Sequence, residues 1–320
     1  MKYFKKNLKL NAVFVFAILF ALFIIVISQP PADFPSRALD IKVAKGASIA
    51  SVADDLYNKN IIASKLFFKL GAAVISFNKG VLAGDYRFTE KQSAIRVAYR
   101  MVKGEQGLER VKVTIPEGTN VYDMAAIFLK KLPDFNAPRF VSLALPYEGY
   151  LFPDTYYFLE NVESEEIIKT MENNFNNQIK SLDKEIMSSN RLLKDIITMA
   201  SIVEEEANNT EDRRVVAGIL WKRLKDGMLL QVDPPFYYIT GKTNGVTYND
   251  LKIDSPYNTY KYKGLPKGPI SNPGLEAIKA TLSPVSTSYY FYLTGKDGIM
   301  RYAEIYDGHL ANKNIYLKGE

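Results

Sequence analysis

The chain has 320 residues, 47% hydrophobic and 24% charged, enough for two or three small domains that fold around real cores. It has no cysteine and one histidine, His309, which excludes disulfides, thiolate metal sites, cysteine nucleophiles and a histidine-rich metal centre. Of the formal charge of +6, Lys2, Lys5, Lys6 and Lys9 supply +4; the remaining +2 gives no basic surface of the kind nucleic-acid binding needs.

Ala12–Ile27 is an unbroken run of 16 apolar residues. Such a run is just long enough to span a bilayer, and residues 12–28 are expected to form a single transmembrane helix. The four lysines before it place residues 1–11 in the cytoplasm and the rest of the chain outside. A cleaved signal peptide is the rival reading, but Ser28-Gln29-Pro30-Pro31 follows the run without a clean small-residue cleavage site. Residues 29–38 hold three prolines and read as a short stiff linker.

A near-repeat follows at an offset of 72 residues, with Ile41–Ile49 matching Val113–Val121. Each copy predicts a strand with alternating apolar residues, a turn at Gly46 or Gly118, and a helix, Ile49–Asn58 or Val121–Lys131. Ser48 and Asn120 are the expected N-caps. These units resemble LysM-type glycan-binding modules; two ordinary strand–helix units in one domain fit the pattern equally well. Residues 39–140 are read as this LysM-like subdomain and 141–320 as a second domain, α+β overall.

From Ser164 to Leu192 the chain is helical and polar. Leu192–Ala207 predicts a further helix, and Asn209 with Asp212 opens the next, which stops at Gly227. Residues 228–275 are rich in Gly, Pro, Asn and Tyr and lack periodicity, as functional loops often do. A hairpin, Tyr289–Thr294 and Met300–Ile305, and a short helix near His309–Tyr316 close the chain.

The helix Leu192–Ala207 ends in three glutamates. On a helical wheel Glu205 falls on the solvated face with Lys194 and Thr198, while Glu204 and Glu206 fall on opposite edges of the apolar face. A carboxyl held against apolar neighbours keeps its proton to higher pH, which suits a general acid. Three glutamates at a solvated helix end would look the same. Glu204 and Glu206 are about 160° apart, so they cannot both face one sugar. A two-carboxylate mechanism would need Glu148, Asp154, Asp233 or Asp254 as the partner. Gln231, Asp233, Phe236, Tyr237, Tyr238, Tyr257, Asn258, Tyr260 and Asn272 supply aromatic faces and amides suited to sugars, or else pack a loop-rich core. His309 reads as a hydrogen-bonded histidine opening the last helix.

Five ordered motifs then become recognisable: Glu148–Tyr156; Ala200–Glu206; Arg223, Gly227, Gln231, Asp233 and Pro234; Ser255–Tyr260; and Gly264–Gly274. Together they resemble the endolytic murein transglycosylase, or YceG-like, family from the anchor to the C-terminus. The resemblance implies a single-pass inner-membrane protein with its catalytic domain outside. It implies cleavage of the β-1,4 bond between N-acetylmuramic acid and N-acetylglucosamine in nascent strands, giving 1,6-anhydromuramyl ends and terminating elongation. It implies Glu204 as the catalytic residue, which fits a sole acid and base, and Glu206, Gln231, Asp233, Asn258, Tyr260 and Glu148 are read as shaping the substrate site. Neither metal nor organic cofactor is expected; the expected partners are glycan strands, the membrane and cell-wall synthases. Three departures stand out: Pro235 where the family often has Thr, Lys267 where Pro is common, and Gly308-His309-Leu310 in place of Glu-His-Asn. The last weakens a functional role for His309. A hydrolytic muramidase and a non-enzymatic glycan-binding scaffold are the competing readings.

Overall fold

Alternation of apolar and polar residues makes Leu39–Val43 (β1) a strand with Ile41 and Val43 buried. It pairs antiparallel with Gly84–Phe88 (β2), Ile41 opposite Tyr86. Between them lie Ile49–Asn58 (α1) and Lys65–Ser76 (α2), followed by Ala94–Lys103 (α3). Each helix begins with a serine whose hydroxyl accepts a first-turn N–H; Ser48 takes that of Ser51 at 3.0 Å. Leu56, Phe68, Tyr86, Phe88 and Met101 meet in one core. The computed structural model describes residues 14, 15, 18–20, 23, 29–77, 79–132, 134–242 and 245–318. The expected tail 1–11 and most of the expected transmembrane helix 12–28 lie outside the described residues. Among the described residues no helix is long and apolar enough to cross a membrane.

The chain divides into two compact units, residues 1–109 and 110–320. This differs from a division at residue 140. Arg110–Thr114 (β3) pairs antiparallel with Thr155–Leu159 (β4), Val113 opposite Tyr156, which ties the second copy of the near-repeat to the larger unit. Val121–Lys131 (α4), capped by Asn120, packs with Ala137–Ala144 (α5) around Phe128, Phe140 and Phe158. The two copies share a local code yet belong to different cores.

The rest of the larger unit is helical: Ser164–Lys180 (α6), Asp183–Ser188 (α7), Leu193–Glu206 (α8), Thr210–Lys225 (α9), Pro234–Thr240 (α10) and Leu275–Leu282 (α11). The Asn209 side chain accepts from Asp212 N at 2.9 Å and starts α9 as expected. Helix α8 departs from the wheel. Every residue from Ile196 to Val203 is buried, including Thr198 at 1% exposure, because α9, α10 and α11 all pack against it. A helix enclosed on all sides has no solvated face; only its ends reach solvent. Phe291–Thr294 (β5) and Met300–Ala303 (β6) form the terminal hairpin, and Tyr306–Lys313 (α12) follows. His309 therefore sits inside this helix, its N–H donated to Ile305 O at 3.2 Å, rather than opening it. The architecture is α+β, with three two-stranded sheets among the described residues.

Candidate active site

Helix α8 ends where Ala207 turns to extended backbone, φ −144° and ψ 137°. Successive side chains on a helix point about 100° apart, so Glu204, Glu205 and Glu206 reach three different neighbourhoods.

The Glu204 side chain is only 6% exposed. One oxygen forms an ion pair with Arg213 of α9, and the other accepts Gly274 N–H at 2.9 Å. Arg213 is also held by Ala207 O at 3.0 Å. Burial pushes the Glu204 pKa up, while the Gly274 N–H and the guanidinium pull it back. Both oxygens are thus committed to protein partners that tie the end of α8 to α9 and α11.

Glu205 opens into a recess of about 610 Å³ lined also by Gly118, Asp123, Tyr122, Tyr238 and Ser271. Its outer edge meets solvent, yet burial in the recess, and then the Glu204 charge, push its pKa up to about 7. Gly118 makes this possible: it turns at φ +78°, and a Cβ there would lie 2.4 Å from Glu205 Oε1. The wheel's solvated placement of Glu205 holds, since the residue is exposed, but it opens into a recess rather than onto a free helix face.

Glu206 opens into a separate cavity of about 490 Å³, shared with Arg223, Gln231, Asp233, Tyr260 and Tyr292. Burial pushes its pKa up to about 7; the Tyr292 hydroxyl bonded to it and Arg223 oppose that rise, and the Asp233 charge adds to it. The Tyr260 hydroxyl donates to Asp233 Oδ1 at 2.7 Å. Gln231 is exposed into the cavity with its backbone at φ +49°, a left-handed conformation that costs a residue with a Cβ about 1–2 kcal/mol. Thr259 holds it there. Its carbonyl takes Gln231 N–H at 3.1 Å, and its hydroxyl bridges Val232 N and O at 3.2 and 2.9 Å.

Four of the predicted residues, Glu206, Gln231, Asp233 and Tyr260, are therefore brought together, and Glu204, Asn258 and Glu148 are not. Asn258 is 1% exposed and spends its whole amide on backbone: Nδ2 donates to Leu251 O and Ile253 O, and Oδ1 accepts from Tyr260 N and Lys261 N. It shapes the loop beneath Tyr260 and has no capacity left for a ligand. Glu148 is 6% exposed, accepting from Val121 N at 3.1 Å and Asn272 Nδ2 at 2.7 Å. Burial pushes its pKa up to about 7. It caps α4 from inside the core. Asn272, fully buried, joins Thr119, Glu148, Gly149 and Leu151 in the same way. Asp154 accepts from Asn174 of α6 at 2.9 Å, and Asp254 is engaged by Lys261 and Tyr262.

Among the residues that sequence reasoning left out of the site, Arg223, Tyr292 and His309 line the Glu206 cavity, and the first two bear on Glu206 itself. Arg223 stands in a recognised motif, and its 6% exposure marks it as a buried cation needing acceptors; Tyr290 O, at 2.7 Å, and Leu230 O provide them. Tyr292 and His309 come from the terminal hairpin and helix, and nothing local announces where those fold. The His309 ring packs on Phe291 at 5.6 Å, its Nδ1 is buried without a hydrogen-bond partner, and burial lowers its pKa.

The YceG-like family model matches residues 41–315. The chain is similar to the endolytic murein transglycosylase of Bacillus subtilis (strain 168), 29% identical, over 91% of this chain and 88% of that protein. It is 28% identical to the endolytic murein transglycosylase of Streptococcus pneumoniae serotype 2 (strain D39), over 88% of this chain but only 59% of that longer protein. A crystal structure of a yceG-like protein from Listeria monocytogenes superimposes with a TM-score of 0.58 at 27% identity, over 87% of this chain and 99% of that one.

Proposed function

The chain belongs to the YceG-like family, and from that premise we propose that it is an endolytic lytic transglycosylase acting on peptidoglycan glycan strands. The observation that carries the reading is Glu206: a carboxyl with a pKa near 7, in a cavity that also holds Asp233, Tyr260 and a strained Gln231. A carboxyl titrating near the working pH can give a proton and take one back. Glu206 is preferred to Glu204 as the catalytic acid because each Glu204 oxygen already has a protein donor, Arg213 on one and Gly274 N–H on the other, whereas Glu206 lines a cavity with Asp233, Gln231 and Tyr260.

In this mechanism protonated Glu206 donates to the leaving O4 of the muramic acid–glucosamine bond. The resulting carboxylate then removes the proton of the muramic acid C6 hydroxyl as O6 attacks C1. The C1–O4 bond breaks, the C1–O6 bond forms, and the product carries a 1,6-anhydromuramyl end without consumption of water. Arg223 stabilises the carboxylate between the two transfers, and Asp233, oriented by Tyr260, binds sugar hydroxyls. The apolar run Ala12–Ile27 and its four preceding lysines support an inner-membrane anchor with the enzyme outside, near cell-wall synthases. A LysM-like, glycan-binding role for the first unit belongs to the same reading.

Asp233 in the Glu206 cavity also favours a second reading, a hydrolytic muramidase in which Asp233 activates water. Digestion of uncrosslinked strands, read by mass spectrometry with Glu206→Gln alongside, separates them. Fragments lighter than hydrolytic products by one water, and absent with the variant, support the lytic enzyme. Full-mass fragments point to the hydrolase. No cleavage by the wild type leaves the glycan-binding scaffold.

A further inference from the structure

Helix α2 is apolar on two sides. Phe68 and Ala72 point into the core of the first unit and are fully buried. On the opposite side Leu66, Leu70 and Val74, four residues apart, are 60%, 52% and 73% exposed, and Phe77 at the C-cap is 87% exposed. Leu82, in the loop that follows, adds a fifth apolar side chain at 53%. Helices at a water interface carry polar outer faces; one that is apolar all round is ordinarily covered. Lys69 and Lys79 flank the stripe without an ion-pair partner among the described residues, whereas Lys65 is held by Asp54 at 2.7 Å.

We propose that this face of α2 rests on the outer surface of the bilayer that anchors the chain, with Leu66, Leu70, Val74 and Phe77 among the lipid chains and Lys69 and Lys79 at anionic headgroups. The inference rests on the membrane anchor proposed above. It adds to that anchor a second, interfacial contact that orients the first unit on the bilayer. Tether length argues for the bilayer as occupant. The apolar run ends at Ile27 and β1 begins at Leu39; the residues between them reach at most about 40 Å even fully extended. The start of the first unit is therefore held within about 40 Å of the bilayer, and an apolar stripe bordered by lysines matches its chemistry. A second copy or a partner protein would not require the lysines.

Because the chain has no cysteine, one introduced residue is a unique label. The full chain is reconstituted in vesicles of phosphatidylethanolamine and phosphatidylglycerol, with an environment-sensitive fluorophore on Val74→Cys, Phe77→Cys or, on the exposed β2–α3 loop, Glu90→Cys. Spin-labelled lipid should quench the labels at 74 and 77 several-fold more than that at 90. The difference should shrink when neutral phosphatidylcholine replaces phosphatidylglycerol. Equal, weak quenching at all three positions overturns the proposal, as does energy transfer between labelled chains at position 74 without lipid quenching, which would make a second copy the occupant. Flotation tests the anchor separately. A chain that floats with unquenched labels refutes only the α2 contact, and a chain that does not float refutes the anchor and this contact together. Strand digestion stands apart from both.

Discussion

Glu205 and Glu206 are consecutive residues, share a titration range near pH 7, and open into different cavities, at Pro234 and at Asp233 of the α10 N-terminus. The Glu206 cavity contains a buried arginine, a tyrosine-held aspartate and a strained glutamine. The Glu205 recess contains Asp123 and tyrosines, and its one lysine, Lys242, is spent on Asp250 at 2.8 Å. The difference teaches that a raised pKa alone does not distinguish these two carboxyls. What separates the two is whether the surroundings can orient a substrate and stabilise the charge left after the proton departs.

The largest effect expected is on cleavage. Glu206→Gln should lower kcat by at least about 100-fold, the low end of general acid–base catalysis, while Glu205→Gln stays within a few-fold. Equal losses in a strand-digestion assay would break the comparison. Glu204 sharpens it from the other side. Arg213→Met strands a buried carboxylate and should cost about 3 kcal/mol of stability, read by chemical denaturation. Glu204→Gln should lower the melting temperature yet leave the folded fraction active; a stable but dead Glu204→Gln protein would return the acid to that position.

The pH profile tests the shared titration range. Activity should fall as pH rises through about 7, when Glu206 loses the proton it must donate. Folding stability follows the same direction. A carboxyl whose folded pKa is raised binds its proton more tightly folded than unfolded, so its contribution is full below the unfolded value and is lost as pH climbs from about 4.5 to about 7. Glu206→Gln should flatten that slope by up to about 3 kcal/mol across the window, measured as the difference in unfolding free energy at its two ends. Next in size, Tyr260→Phe frees Asp233 and should reduce kcat/KM by roughly tenfold, the worth of one charge-assisted hydrogen bond. The smallest effect compares the two copies of the near-repeat. Gly46→Ala and Gly118→Ala both strain a left-handed turn, at φ +82° and +78°. A Cβ at Gly46 meets nothing within 4 Å, whereas one at Gly118 collides with Glu205. Gly118→Ala should therefore be the more destabilising by about 1 kcal/mol, seen in thermal melts.

Much of this was legible along the chain, because it depends on residues close in sequence. The caps at Ser48, Asn120 and Asn209, the turns at Gly46, Gly118 and Gly227, the helices they bound and the terminal hairpin follow from hydrogen bonds and backbone preferences a few residues long. The ordered motifs likewise marked the family and five of the residues that line the Glu206 cavity, Glu206, Arg223, Gln231, Asp233 and Tyr260. Tertiary structure alone decided what each of the three carboxyls touches. A wheel assumes one wet face and one dry face, and α8 has no wet face through its middle, since three helices far apart in sequence enclose it. Arg213 comes from α9, Gly274 from the start of α11, and Tyr292 and His309 from the last hairpin and helix. Whether a glutamate is clamped or poised depends on which of these distant groups reaches it, and burial, the main cause of every raised carboxyl pKa here, is a property of the whole packed unit rather than of any segment.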